Sequence, residues 1–258
     1  AELGAMAEHL PLDILAFGAH PDDVELSAGG TLVKAAMQGK RTGIVDLTRG
    51  ELGTRGSAEL RAEEAAAAAK ALGLVVRENL GLKDGMPEDE EKAILALIGA
   101  LRRHRPRTVL ANALHDRHTD HGRAAELVHR ACFLAGLARI STADENGSAQ
   151  KPHRPLHVLH YIQDRFREPT IVVDITGAEQ KKYAAIACYS SQFHVPGAAE
   201  GNIEIPSASD LATPISTPDF MAVVRGRDMT MGRYIGVVSG EGFESRTPLG
   251  LTDIGDLI

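Results

Sequence analysis

Residues 17–30 read FGAHPDDVELSAGG, an apolar run that breaks into a histidine, a proline and two adjacent aspartates. About a hundred residues later, 114–123 read LHDRHTDHGR, which crowds further imidazoles and carboxylates into one short stretch. Imidazole nitrogens and carboxylate oxygens are the donors of a catalytic zinc site, where three protein ligands leave positions open for water. His20 and Asp23, three apart on a turn, and His121 from the second stretch make such a set. Taken alone, a His-Asp pair reads as a loop-capping network; the second cluster shifts the reading to a metal. A divalent cation also answers the repulsion between Asp22 and Asp23, because it favours ionised carboxylates nearby. Asp22, next to a ligand, is then placed to take a proton from an attacking water. His118 can donate to a developing oxyanion or leaving group, with Asp120 orienting and charging its imidazole. His115 competes for a role on the same stretch. His153, His157 and His160 form a weaker cluster, since 157 and 160 fall on opposite faces of an extended strand.

These residues need elements that bring them together. LDILAFG (12–18), RTGIVDLT (41–48), LVVRENL (74–80) and RTVLAN (107–112) read as strands, and 25–40, 57–73, 88–104 and 119–135 as helices between and after them. Ser57 is placed to cap the second helix and Gly73 to end it. The alternation predicts an α/β fold, a Rossmann-like, mostly parallel sheet flanked by helices. In such sheets sites form at the C-terminal strand ends, which puts both polar clusters on one edge. Two further strands are expected at 155–163 and 170–176, and helices at 177–190 and 218–235. Residues 194–217, rich in Gly, Pro and Ser, read as a long flexible loop or lid. With no repeat and no linker, 1–258 reads as a single domain.

Composition narrows the function classes. A net charge of −7 over 258 residues leaves no broad basic surface for nucleic acid. The basic run RRHRPR (102–107) reads as a helix C-terminus whose cations meet the dipole before Pro106. Cys132 and Cys188 read as core thiols in a reducing compartment, and no stretch has the length of a membrane span. A cytoplasmic protein without nucleic-acid or membrane partners is the expectation.

AHPDD at 19–23, TRGELGTRG at 48–56, LRAEEAAAAAKALG at 60–73, RHTDH at 117–121, SSQF at 190–193 and GRDMTMGRYIG at 226–236 together resemble the LmbE/PIG-L family of zinc-dependent N-acetylglucosamine de-N-acetylases. The resemblance runs over nearly the whole chain, and the later stretches are similar to the bacterial branch that includes the bacillithiol-pathway N-acetylglucosaminyl-malate deacetylase. It implies zinc, or another divalent transition metal, on His20, Asp23 and His121. It implies Asp22 as general base, and His118 with Asp120 as the group that stabilises the oxyanion and protonates the amine. Arg61 and Arg117 match positions that hold substrate, and two guanidinium forks suit an anionic aglycone such as malate. The competing reading of Arg61 is a helix-surface ion pair with Glu63 or Glu64. The resemblance also implies an amino-sugar substrate and a homo-oligomer. Thr119 stands where the family often has proline, which bears on loop stiffness. With no Trp in the chain, stacking on a sugar falls to Phe or Tyr. Alternatives are another N-acyl amino-sugar (mycothiol-type, chitooligosaccharide or inositol conjugate) or a non-catalytic sugar- or nucleotide-binding domain; the missing G-x-G-x-x-G counts against dinucleotides.

Overall fold

The computed structural model describes residues 10–85, 89–194, 213–250 and 253. Its elements in chain order are β1 (Ile14–Gly18), α1 (Asp23–Met37), β2 (Thr42–Thr48), α2 (Ala58–Leu72), β3 (Val76–Leu82), α3 (Glu90–His104), β4 (Thr108–Ala111), α4 (Thr119–Leu134), β5 (His157–Tyr161), β6 (Ile171–Asp174), α5 (Glu179–Ala187), α6 (Phe220–Ile235) and β7 (Gly240–Ser245). The local signals act as their chemistry dictates. Ser57 accepts from the Leu60 N–H at 3.2 Å and Gly73 closes α2 at φ 73°. Asp89 caps α3 by accepting from the Lys92 N–H at 3.0 Å. Most of the loop expected at 194–217 lies outside the described residues, which resume at Thr213.

The strands form one seven-stranded sheet in the order β3-β2-β1-β4-β5-β7-β6. The first five run parallel, and β7 lies antiparallel between β5 and β6. Ile14 pairs with both Thr42 and Thr108, so β1 has β2 on one side and β4 on the other. The strand order reverses there, and the loops leaving β1 and β4 diverge above a crevice at their C-terminal ends. β7 has no counterpart in the sequence reading. Its GEGFES carries neither an apolar run nor β-branched residues, and its glycines answer to crowding: a Cβ on Gly242 would stand 2.7 Å from the Met231 sulfur.

Alternation along β1 divides the core. Leu15 and Phe17 face α3 and α4 in one apolar cluster, and Ala16 joins α1, α2 and α5 in the other. Gly30 on α1 is a packing residue, because a Cβ there would lie 2.7 Å from Ile175. The 102–107 run ends a helix, as its composition implies, but Arg102 turns inward. It is buried and donates to the carbonyls of Ala135, Leu137 and Ile140 beyond α4, while Arg103 and His104 pair with Glu78. Both cysteines are free; burial pushes the Cys132 thiol up to about 12. Among the described residues no helix is long and apolar enough to cross a membrane.

Two buried polar features hold the second half of the chain in place. Lys182 on α5, fully buried, lies 2.7 Å from Asp228 on α6 and 2.9 Å from Glu241 on β7. Glu241 also accepts from the Gly30 and Thr31 N–H groups at 2.9 and 2.7 Å, which ties β7 to α1. Replacing Lys182 with Met leaves two carboxylates buried without their cation. It should lower unfolding free energy by about 3–5 kcal/mol, read as a shift of the urea midpoint by circular dichroism; an unchanged midpoint contradicts the assignment.

His160 on β5 is the second feature. It is wholly buried, with Nδ1 2.9 Å from the Asn112 carbonyl. Burial pulls its imidazolium down to about 4, against the opposing pull of that carbonyl. An unfolded histidine titrates near about 6.5, so between those values the unfolded chain binds the extra proton. Stability from this residue is therefore present above the unfolded value and declines as pH falls from about 6.5 towards 4. His160→Asn should flatten the fall in urea midpoint over that window relative to wild type; parallel curves contradict it.

Candidate active site

The loop from β1 begins with a close turn, since a Cβ on Gly18 would stand 2.8 Å from the His20 carbonyl. Asp22 follows at φ 117°, a region that non-glycine residues rarely enter, and α1 starts at Asp23. The carboxylate of Asp23 is surrounded by donors. Its Oδ2 accepts from the His20 N–H and from Asn112 Nδ2, both at 3.0 Å, and its Oδ1 accepts from Gln163 Nε2 at 3.0 Å. Asn112 follows β4 directly, and its Oδ1 accepts from the Ala19 N–H at 2.9 Å, so one amide stitches the two loops together. His121, in the first turn of α4, brings Nε2 within 3.1 Å of Asp23 Oδ1. His20 Nδ1 lies 3.7 Å from Asp23 Oδ2.

Each imidazole is oriented from behind by a carboxylate. His121 Nδ1 is 2.5 Å from Asp116 Oδ2, and the other Asp116 oxygen accepts from the Asp164 and Arg165 N–H groups. His20 Nε2 is 2.9 Å from Asp84 Oδ1 and 3.5 Å from Asp120 Oδ2. Carboxylate–histidine pairs of this kind fix the ring and its tautomer at metal centres. Donors of a tetrahedral zinc site stand roughly 3.3 Å apart, given bonds of about 2 Å. The His121–Asp23 and His20–Asp23 separations of 3.1 and 3.7 Å lie on either side of that value, with His121 approaching Oδ1 and His20 approaching Oδ2 of the carboxylate. Among the described residues, the groupings whose donor atoms all lie within 4.8 Å of one another, and which therefore fit a divalent metal, are His20 with His118 and His121, and His20 with Asp84 and Asp120. His20 is common to both, and Asp23 adjoins them through His121.

The charges agree with that fit. Burial pulls the His121 imidazolium down, but Asp23 and Asp116 overcome it and hold it up at about 9. Burial likewise opposes the His20 imidazolium, which Asp120, Asp23 and Asp84 hold well above its ordinary value. Burial pushes the Asp23 carboxyl up, and His121 and His20 reverse that to hold it well below the carboxylate range. The clustered carboxylates favour positive charge here, carried by the imidazoles themselves, and an imidazole that binds a metal gives up that proton.

The remaining expected residues lie around one cavity of about 660 Å³, which His20, Asp22, Asp23, Arg61, Arg117, His118, Asp120 and His121 all line. Asp22 is buried, with its Oδ2 2.5 Å from Arg61 Nη2. Burial pushes its carboxyl up to about 6 while Arg61 pulls the other way. Arg61 is itself buried and also donates to the Pro21 carbonyl at 2.9 Å. The ion pair with Glu63 or Glu64 is not formed. Glu64 instead accepts from Ser190, Ser191 and the Ser191 N–H, within the SSQF stretch. Arg61 thus holds the strained Asp22 in place. Arg117 is about half exposed and pairs with Asp164 at 2.7 Å.

His118 stands at the N-cap of α4, its ring centroid 4.9 Å from those of both His20 and His121. Its Nδ1 accepts from the Asp120 N–H at 3.3 Å, which leaves Nε2 to carry the proton. Burial and the positive charge at His20 and His121 push it down, favouring a neutral imidazole. The expected Asp120 carboxylate partner is turned elsewhere, accepting from the Gly85 N–H at 3.1 Å and facing His20. Asp120 therefore meets His118 through its backbone, because the helix start points its side chain back over β3's loop. Thr119 is the first residue of α4, the position where proline is tolerated best, so the Thr-for-Pro change alters no hydrogen bond. His115 is exposed, and His153 bonds the Pro106 carbonyl away from the site. Phe166 and Phe220 are the aromatic side chains on the cavity wall.

Sequence reasoning missed Asp84, Asn112, Asp116, Gln163 and Arg227. Asp116 lay inside the 114–123 stretch and was findable, since a ligating histidine needs an acceptor behind it. Asp84, Asn112 and Gln163 each follow a strand end on the active edge but carry no motif of their own.

The family profile of the GlcNAc-PI de-N-acetylases (PIG-L) matches residues 15–132, which hold every residue of the proposed ligand set. The chain is 31% identical over 201 residues to the 4-oxalmesaconate hydratase of Pseudomonas putida, covering 70% of this chain and 74% of that one. Among solved structures, the conserved protein TT1542 from Thermus thermophilus superposes with TM-score 0.77 at 35% identity, over 94% of this chain and 98% of its own. The N,N'-diacetylchitobiose deacetylase of Pyrococcus horikoshii superposes with TM-score 0.73 at 26% identity, over 95% and 88%. The chain belongs to the PIG-L/LmbE deacetylase family.

Proposed function

We propose that the chain is a metal-dependent N-deacetylase of N-acetylglucosamine conjugates, with His20, Asp23 and His121 as metal ligands and zinc as the metal. The observation that carries the reading is the placement of Asp22. A buried carboxylate in a strained backbone, one residue from a ligand and locked by Arg61, opens into the same cavity as the two oriented imidazoles. When bound, the metal supplies Lewis acidity and lowers the pKa of water to about 7. Asp22 takes a proton from water as its oxygen attacks the acetyl carbonyl. The Nε2–H of His118 donates to the oxyanion that develops there. As the C–N bond breaks, the proton held by Asp22 returns to the sugar nitrogen, giving acetate and a free amine. Asp84 and Asp116 hold the imidazoles in register throughout. Substrates of the finer class, an N-acetylglucosaminyl-malate as in bacillithiol biosynthesis, suit a cavity edged by arginines. Other N-acyl amino-sugars, including diacetylchitobiose, are the comparison set.

A second reading rests on the hydratase relative. The same residues can deliver water to the double bond of an unsaturated tricarboxylate, with Asp22 taking the proton of the attacking water and returning it to the adjacent carbon. An absorbance assay on 4-oxalmesaconate, run beside release of free amine from the sugar panel, separates the two. A chain with no affinity for metal by elemental analysis would instead be a binding domain.

Asp22→Asn should reduce kcat by about 10²–10⁴-fold while metal content by elemental analysis stays that of wild type; full turnover contradicts the base assignment. Asp116→Asn should weaken metal affinity by roughly 10–100-fold in a competition titration with a chromogenic chelator. Unchanged affinity would mean His121 needs no carboxylate behind it.

A further inference from the structure

Three arginines border the cavity, and they differ in what neutralises them. Arg61 is paired with Asp22, and Arg117 with Asp164. Arg227, on α6, has no carboxylate partner among the described residues. Its Nη1 donates to the Gln163 carbonyl at 2.6 Å and its Nη2 to the Leu26 carbonyl. Neutral carbonyls fix a guanidinium in space but leave its charge unmatched. The neighbouring Asp228 feels the charge of Arg227 but makes no hydrogen bond to it, its carboxylate being turned into the core against Lys182 at 2.7 and 2.8 Å. Arg227 is only half-buried, so the remaining N–H donors of its fork stay available on the cavity side.

Its placement is tied to the reacting end. Gln163, whose backbone holds Arg227, uses its own side chain to donate to Asp23. The guanidinium therefore keeps a fixed position relative to the proposed metal carboxylate. Leu26 and Phe220, both partly buried, lie on the same wall and lower the local polarity beside the guanidinium.

We infer that Arg227 is the specificity-determining residue that binds a carboxylate on the substrate's aglycone, so that the protein selects acidic conjugates over neutral amino-sugars. This rests on the deacetylase reading for the sugar half of the substrate, but the anion site itself is testable without turnover. The probes are the two deacetylated products, glucosaminyl-malate and methyl glucosaminide, titrated calorimetrically into the metal-loaded protein. Wild type should bind the malate conjugate tighter by roughly 10–100-fold, the range of one charge-assisted hydrogen-bonded pair. Arg227→Met should remove that gap and leave the affinity for methyl glucosaminide unchanged. Arg227→Lys, which keeps the charge, should restore part of it. A second neutral variant, Arg227→Gln, retains a donor for the backbone carbonyls and should behave as Met does, which covers failure of the Met variant to fold. The inference is overturned by a wild type that binds both probes equally, by a gap that survives in Arg227→Gln, or by equal weakening of both probes, which would mean Arg227 only braces Gln163 and Leu26. Absence of acetate release from the N-acetylated forms, with the Arg227-dependent gap intact, refutes the deacetylase reading alone.

Discussion

The site depends on how the carboxylate of Asp23 is held. Three donors from three parts of the chain, the His20 backbone, Asn112 and Gln163, converge on its two oxygens and leave the remaining face to His121. Such convergence needs the loops after β1, β4 and β5 to emerge side by side, which the strand order around the switch point at β1 and β4 provides. The buried bonds also explain why an ionised carboxylate is tolerated there. Three N–H groups take the place of solvating water, and the nearby imidazoles carry opposing charge.

The neighbouring Asp22 is governed by the opposite balance. It has one strong partner, Arg61, no comparable set of donors, and a backbone in a region of high energy, so burial dominates and raises its carboxyl to about 6. Two adjacent aspartates thus diverge in character through environment alone, one held as an anion and one poised near neutrality. Paired carboxylates pushed apart in this way are the recurrent arrangement for dividing binding from acid–base work. The strain at Asp22 is sustained by Arg61, whose guanidinium packs closely over Gly50 and Gly53.

Much of this was legible in the sequence, and the parts that were not share a cause. Apolar runs and helix caps located the first strands and helices within a few residues, because β1, β2 and β4 are buried on both faces and α2 carries explicit start and stop signals. The closing strand β7 was invisible, since a short glycine-rich strand has no periodicity to read. The proximity of His20, Asp23 and His121 followed from topology. What escaped were contacts made by side chains with no motif: the Arg61 to Asp22 pair, read instead as a ligand-binding or surface arginine, and the turn of Asp120 away from His118 towards Gly85. Spacing along the chain reports which residues share a loop, not which way each points when a helix starts between them. The buried Lys182–Asp228–Glu241 network escaped for a related reason, since its members lie on three separate elements.

The central claim is that a metal sits between His20, Asp23 and His121. Anomalous diffraction at the zinc edge, from crystals of the zinc-loaded protein, tests it most directly. The account predicts one peak about 2.0–2.2 Å from His20 Nδ1, an Asp23 oxygen and His121 Nε2. A peak instead between His20 Nε2, Asp84 and Asp120, or no peak at full zinc loading, would contradict it.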